Sequence, residues 1–498
     1  MFIFTPMKRS LKALFFLALC LLTPGCVKQK PDEYRQLDEE TRAQRRYVNQ
    51  FAWNTMDTYY LWRDKIESEM SAWENWEEPI GKIAAIRYKD AEGNDIDRWT
   101  TLTDDLAAME GGISGHTRTL GMGFQMYFTD RTHTRICAVV TYTYAGSPAE
   151  EAGLKRGDVI LKIDDLEMTP DNYQRLAREG LFGGGTVRLG LSDGRTVTLT
   201  AVDMYENPVH TACVLETEGG RKVGYLHYTS FTLDSCEDLV DVFDGFVAEG
   251  IDELVLDLRY NGGGYVMAET VLASMLAPRA VVEAESVLSQ MVYNARLAKE
   301  LKDGTTKFQT TFMFRVDGQL NVVSTEGANP DLPRLYILTS DDSASASEAL
   351  ICGLKPYMDV ILIGAKTSGK FCAGVLVDAK EWYADVKDQL GKDEYEKALP
   401  YVDNWGLYVM YARYADCNGN TLSMPDGIDP DVEVDDDPLD GFALGDPRET
   451  MLAAALAQIE GRPAAGRTRS SGLSGLQPVP DAPRHPGSGL LVGEGPVR

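Results

Sequence analysis

Three features of this chain have chemistry to offer: a serine opening a helix, a lysine in a small-residue loop, and a glycine run at a strand end. Ser345 lies in Leu338-Thr339-Ser340-Asp341-Asp342-Ser343-Ala344-Ser345-Ala346-Ser347-Glu348, which runs from a strand-like stretch into a helix-like one. The spacing of Ser345 and Glu348 is that of a capping box, and alone it makes Ser345 a helix cap. The same geometry also presents a hydroxyl at a helix N-terminus, where free amides and the dipole favour a developing oxyanion. Lys370 ends the loop Gly364-Ala365-Lys366-Thr367-Ser368-Gly369-Lys370, which alone reads as an ordinary surface lysine. Asp257-Leu258-Arg259-Tyr260-Asn261-Gly262-Gly263-Gly264 carries a strand into a glycine turn, and no Gly-Lys-Ser/Thr follows to make it a phosphate loop. Strand-end loops of one α/β domain collect on one face, which lets the three converge.

Such a convergence would gather a hydroxyl, an amine and free amides at one place. A Ser-His-acid site ranks below this, because His116, His133, His210, His227 and His485 stand in no motif. Metal-dependent hydrolysis ranks lower still: the sequence has no His-x-x-x-His pair, and Asp435-Asp436-Asp437 lacks a calcium-loop pattern and reads as a solvated turn.

The 498 residues are 44% hydrophobic and 25% charged, enough for several cores, and the net charge of −27 argues against nucleic acid as a partner. Lys8, Arg9 and Lys12 precede the apolar run from Ala13 to Leu22, which reads as a signal peptide over residues 1–25. The ending Leu22-Thr23-Pro24-Gly25-Cys26 is similar to a bacterial lipoprotein signal, which implies lipidation of Cys26 and a membrane-anchored place in the cell envelope. Residues 26–110 form a helical N-terminal region, with Tyr47, Phe51, Met56, Tyr59, Tyr60 and Trp62 at near-helical spacing. Residues 111–205 alternate as a mostly-β module, and 206–460 read as an α/β domain with inserts near 281–330 and 379–402. Cys417-Asn418-Gly419-Asn420 is a hairpin signal. Residues 461–498, rich in Gly and Pro, read as a disordered tail. Six cysteines, from Cys137 to Cys417, are too sparse for a disulfide scaffold, and any pairing among them is unreadable.

Gly121-Met122-Gly123-Phe124, followed by Gly146-Ser147-Pro148-Ala149-Glu150-Glu151-Ala152-Gly153-Leu154-Lys155-Arg156-Gly157-Asp158, resembles a PDZ domain. The resemblance implies an open strand edge that binds an extended chain or C-terminus, cradled by Met122, Gly123 and Phe124. The order of PDZ domain, Asp-Leu-Arg-x-Asn-x-Gly-Gly loop, Ser-Ala-Ser-Ala-Ser-Glu helix start and Thr-x-Gly-Lys loop resembles the carboxyl-terminal processing proteases. These are Ser/Lys-dyad serine peptidases whose nucleophile stands 25 residues before the lysine, as Ser345 does before Lys370. The resemblance implies Ser345 as nucleophile and Lys370 as its base, which accepts the proton only when neutral, so its pKa has to fall from about 10.4 towards ~7–8, a cost of about 3–4 kcal/mol. Burial supplies such a shift, and Phe371, Val375 and Leu376 are apolar neighbours able to desolvate the amine. The Pro425-Asp426-Gly427-Ile428-Asp429-Pro430-Asp431 stretch extends the likeness, and Tyr60-Leu61-Trp62 with Asp97-Arg98-Trp99 is similar to exported Bacteroidetes-type members.

The family correspondence implies a multidomain α+β chain with a ClpP/crotonase-like catalytic domain and oxyanion amides from Gly263 or Gly264 with Ala346. It also implies a protein or peptide substrate and no cofactor. One position departs from the family: the glutamine that commonly follows the lysine by four residues is Gly374 here. The alternative reading is therefore a catalytically weak or inactive, lipid-anchored peptide-binding protein on the same scaffold. Natural substrate and oligomeric state are not legible.

Overall fold

A computed structural model describes residues 32–299, 304–315, 322–422, 424–462, 476–480 and 482. The signal segment and Cys26 lie outside the described residues. Among those that are described, no helix is long and apolar enough to cross a membrane, and Cys137, Cys213, Cys236, Cys352, Cys372 and Cys417 are all free thiols.

The α/β domain is built on a six-stranded sheet in the order Val209–Glu216, Lys222–Tyr228, Glu253–Asp257, Arg334–Thr339, Asp359–Gly364, Val432–Glu433. Its first pair is antiparallel and the rest are parallel. Side chains alternate across it, as the twofold repeat of a strand requires. Leu226, Leu254, Leu256, Ile337 and Leu362 enter one core with helices Ser235–Glu249, Val266–Leu276 and Ala346–Leu354. Val223, Tyr225, Val255, Tyr336 and Ile363 enter another with helix Thr450–Ile459.

A second, five-stranded sheet is organised around Gly406–Asp416, which pairs with Thr101–Thr103, Val287–Tyr293 and Cys372–Asp378. Both inserts read from the sequence serve these layers. The first adds Val287–Tyr293 and Thr305–Gln309 to the second sheet, and the second forms helices Ala379–Asp385, Lys387–Leu390 and Lys392–Val402. The Asn-Gly turn forms, with the Asp416 carboxylate accepting from the amides of Asn418 and Asn420, but no described strand follows it. That carboxylate satisfies the turn locally, so it needs no returning strand.

Helix Glu39–Tyr59 is N-capped by Asp38, which accepts from the Thr41 amide, and it buries Tyr47, Val48, Phe51, Ala52, Met56 and Tyr59. This face does not close a cap of its own. Tyr47 stacks on Tyr401 at 5.6 Å and Phe51 meets Trp382 edge-on, and both belong to the same core as the six-stranded sheet. The bulky helical spacing therefore marks a helix built into the α/β domain. The expected helix also stops early: from Ala72 to Asp105 the chain is mostly turns, with helix Pro79–Ile86 and strand Thr101–Thr103.

The mostly-β module, by contrast, has a separate core of Met126, Ile136, Ala138, Val140, Ile160, Ile163, Leu189 and Leu199. Two antiparallel strands, His116–Thr119 and Val202–Tyr205, join it to the rest. Its sheet runs Gln477–Pro478, Met122–Phe128, Ile136–Thr143, Val159–Ile163, Thr186–Leu191, Thr196–Thr200. The first of these strands comes from the segment read as a disordered tail, a correction for the described positions 476–480 and 482. Composition undervalued them because Val479 buries itself against another module's core, not one of its own.

Candidate active site

Ser345 is the N-cap of helix Ala346–Leu354 and adopts φ 64°, ψ −111°, a region that a side chain bearing Cβ rarely occupies. Such strain persists only where surrounding contacts hold it, and here they are many. The Ser340 hydroxyl donates to the Arg259 carbonyl, Ser343 to the Leu258 carbonyl at 2.8 Å, and Ser347 to the Asn261 carbonyl at 3.0 Å. The serine-rich segment is thus stitched to the glycine turn by the serines that flank Ser345. The Ser345 Oγ is buried with no hydrogen-bond partner. Half of the capping box forms, the Ser345 amide donating to Glu348 at 2.9 Å, while the hydroxyl is left for other work.

Lys370 is brought to the same place by two clamps. One Glu348 carboxylate oxygen accepts from the amides of both Ser345 and Lys370, each at 2.9 Å; the other accepts from the Gly369 amide and the Thr367 hydroxyl. The Tyr414 hydroxyl meets the carbonyls of Ser345 and Lys370, each at 3.1 Å. The two backbones are therefore held side by side, within two hydrogen bonds of each other through a single atom. Sequence reading found Glu348 as a cap partner but missed this bridging role, and it missed Tyr414 altogether. Nothing local to Tyr414 marks it, because its job arises only when two sheets meet.

The Lys370 side chain is fully buried, and burial pulls its pKa down to about 8, with Cys372, Asp97 and Glu348 restraining the fall. The ammonium nitrogen lies 5.5 Å from the Trp99 ring centre and 5.4 Å from that of Tyr408, and it donates to the Tyr408 hydroxyl at 3.3 Å. The desolvating neighbours thus differ from those expected. Phe371 and Val375 turn into the main core, while Leu376 joins Tyr408, Met410, Cys372 and Trp99 in a separate cluster. A register shift between Ala373 and Gly374 interrupts the regular pairing of the strand that carries these residues.

Gly374 has a definite steric reason. A Cβ there would fall 2.2 Å from Tyr408 Cζ and 2.5 Å from its hydroxyl, so the ring occupies the space a glutamine side chain would need.

In the glycine turn, Gly263 and Gly264 have φ 113° and 144°, and a Cβ on Gly263 would come within 2.7 Å of Ser345 Cβ. The turn thus lies directly against the serine. The Gly263 amide, however, donates to Asn261 Oδ1 at 2.8 Å, so its proton is already used, which corrects its place among the oxyanion donors. Gly264 pairs with Phe231 as an isolated bridge that uses the Gly263 carbonyl and the Tyr265 amide, not its own amide. Ala346, first in its helix, has an amide with no partner one turn back.

The acidic run is corrected as well. Asp436 is buried between Arg156 and Arg259, at 2.7 and 2.9 Å, and although burial pushes its pKa up, the two guanidiniums hold it down at about 2. This ion network, with Asp257 and Glu449, joins the β module to the glycine turn. None of the described histidines donates to or accepts from Ser345: His116 meets Asp234, His133 meets Gln477, His210 meets the Thr143 carbonyl, and His227 is buried with neither ring nitrogen partnered. His485 lies outside the described residues.

Met122, Gly123 and Phe124 begin the strand Met122–Phe128, after Gly121 at φ 73°. Gly123 is crowded by the Tyr142 ring, and Phe124 stacks on Phe182 at 5.4 Å.

A hydroxyl left unpaired at a strained helix start, its backbone clamped to that of a buried lysine of lowered pKa, and a β module with its own core define a class. Residues 222–434 match the profile of peptidase family S41 and residues 139–181 that of the PDZ domain, so the chain carries a peptidase domain of this serine-type family. Within it, the chain is similar to the carboxyl-terminal-processing proteases. It is 27% identical over 359 residues to that of Synechocystis sp., covering 70% of this chain and 71% of the relative. It is 26% identical over 319 residues to that of Picosynechococcus sp., covering 62% and 64%. In fold it resembles the crystal structure of a putative S41 protease from Bacteroides fragilis, with a TM-score of 0.61 and 23% identity over 83% of this chain and 97% of that one.

Proposed function

We propose that the chain is a serine endopeptidase in which Ser345 is the nucleophile and Lys370 its general base, acting on protein or peptide chains that the PDZ domain helps to engage. The observation that carries this is the double clamp of Glu348 and Tyr414, which fixes the backbones of Ser345 and Lys370 together while leaving the Ser345 hydroxyl unpaired. Neutral Lys370 takes the Ser345 proton as Oγ attacks the scissile carbonyl carbon. The oxyanion so formed is met by the amides of Gly264 and Ala346. The Lys370 ammonium then protonates the leaving amine, which departs as the C–N bond breaks. Water, deprotonated by Lys370, next attacks the acyl ester and returns the hydroxyl to Ser345.

The test is degradation of an unstructured protein such as β-casein by the chain lacking residues 1–26. The reading is wrong if Ser345→Ala degrades casein as fast as the parent.

The Tyr408 contact weighs against the binding-only alternative. In this mechanism Tyr408 is a positioning residue, its hydroxyl holding Nζ where the missing glutamine would. Tyr408→Phe is expected to lower kcat about tenfold with little change in KM, and to move the pH midpoint of kcat/KM downward, because losing an acceptor disfavours the ammonium. A purely packing role predicts an unmoved midpoint.

The leader and Cys26 support export and a lipid anchor in the cell envelope. Exported proteins are then the substrates within reach.

A further inference from the structure

The peptide-binding strand of the PDZ domain already has a neighbour. Gln477 and Pro478 pair antiparallel with Phe128 and Tyr127, and the Val479 amide donates to the Met126 carbonyl at 2.9 Å. Val479 is only 7% exposed and joins the domain's own core, Ala482 packs against the same cluster, and Gln477 meets the His133 ring at 2.5 Å. The register puts Val479 opposite Met126 in a hydrogen-bonded pair, so the backbone nitrogens of residues 478 and 480 face away from the strand. Both are proline, which has no N–H to offer there. The prolines therefore cost no hydrogen bond, and they blunt the new outer edge against further strand addition. From Phe128 the segment runs towards Phe124 and the Gly121–Gly123 turn. This is the direction an incoming carboxyl terminus must take to reach amides at that turn.

From this we propose that residues 476–480 are a tethered ligand of the PDZ groove, and that a substrate chain engages the groove only by displacing them. The inference rests on the reading of Met122–Phe128 as the peptide-binding edge. Two further observations fit a resting form. Ser345 and Lys370 are both fully buried while the segment is docked. Gln125, beside the residue that accepts from Val479, donates to Asp342 at 3.4 Å, on the loop that leads to Ser345. Occupancy of the groove is thus one residue away from the nucleophile's own segment. Tethering raises the local concentration of this ligand to roughly millimolar, so a weak fit suffices to keep ordinary peptides out.

The test uses a fluorescein-labelled peptide of residues 474–484, with Ser345→Ala in every protein to prevent cleavage. Anisotropy should show binding to a chain ending at residue 462, at least tenfold weaker binding to the full chain, and recovered binding to the full chain carrying Val479→Asp. Equal affinity for the full and shortened chains, or no binding to either, overturns the proposal. Casein degradation by the shortened chain with Ser345 intact reads the peptidase assignment separately. Failure there leaves the binding result standing, and failure of binding leaves the peptidase assignment standing.

Discussion

Ser345→Ala lowers kcat/KM on casein by at least about 10³-fold while leaving the fold intact, because the substitution removes an oxygen that supports no contact. The flanking serines provide the control. Ser343 and Ser347 donate to carbonyls of the glycine turn, so their alanine variants lose a buried hydrogen bond worth about 1 kcal/mol each, while the Leu258 and Asn261 carbonyls keep the amides of Asn261 and Ala344. These variants should show modestly lower melting temperatures with most activity retained. Ser345→Ala should show the reverse. Thermal unfolding beside casein turnover for the three variants separates the reacting hydroxyl from those that build its platform.

Lys370→Met is the second large effect, and its two readouts move in opposite directions. Activity falls by at least about 10³-fold, since the amine that takes the proton is gone. Stability at pH 7 rises. The folded-state pKa of about 8 lies below that of a lysine in the unfolded chain, about 10.4, so at neutral pH folding has to bury an ammonium at a cost of about 3 kcal/mol. Stability of the parent therefore climbs as pH rises from about 8 to about 10.4, and is lowest, as far as this group is concerned, below 8. Methionine fills the same space without a charge. Urea unfolding should show Lys370→Met more stable than the parent at pH 7, with the gap closing by pH 10.5. A less stable variant at pH 7 would mean that the aromatic faces of Trp99 and Tyr408 offset the desolvation in full.

The sequence reveals the parts of this site that are contiguous and hides the parts that come from elsewhere. Ser345, Lys370 and the glycine turn sit in short segments with strand, turn and helix signals, which marked them as candidates, and the family resemblance paired the serine with the lysine. Glu348 was visible only as a capping residue, because its second duty, binding the amides of Gly369 and Lys370, depends on a loop that follows another strand. Tyr408 and Tyr414 lie on one long strand whose apolar pattern speaks of burial and says nothing of which core each face enters. The exchange of Gly374 for a glutamine reads as a loss in the sequence; in space it is room for the Tyr408 ring. Burial of Asp436 was hidden for a like reason, since its two arginine partners lie some 180 and 280 residues away in the chain. The docked segment at 476–480 was lost to composition, which measures whether a segment can form its own core and not whether it can join one.

Transfer of the Ser345 proton to a neutral Lys370 amine is the central proposal, and a serine-directed sulfonyl fluoride tests it directly. The rate of covalent labelling should rise about tenfold per pH unit below a midpoint near 8 and level off above it, with the adduct on the Ser345 peptide by mass spectrometry. Lys370→Met should label at a slow rate without that midpoint. A rate independent of pH from 6 to 9, or an adduct on another residue, would contradict it.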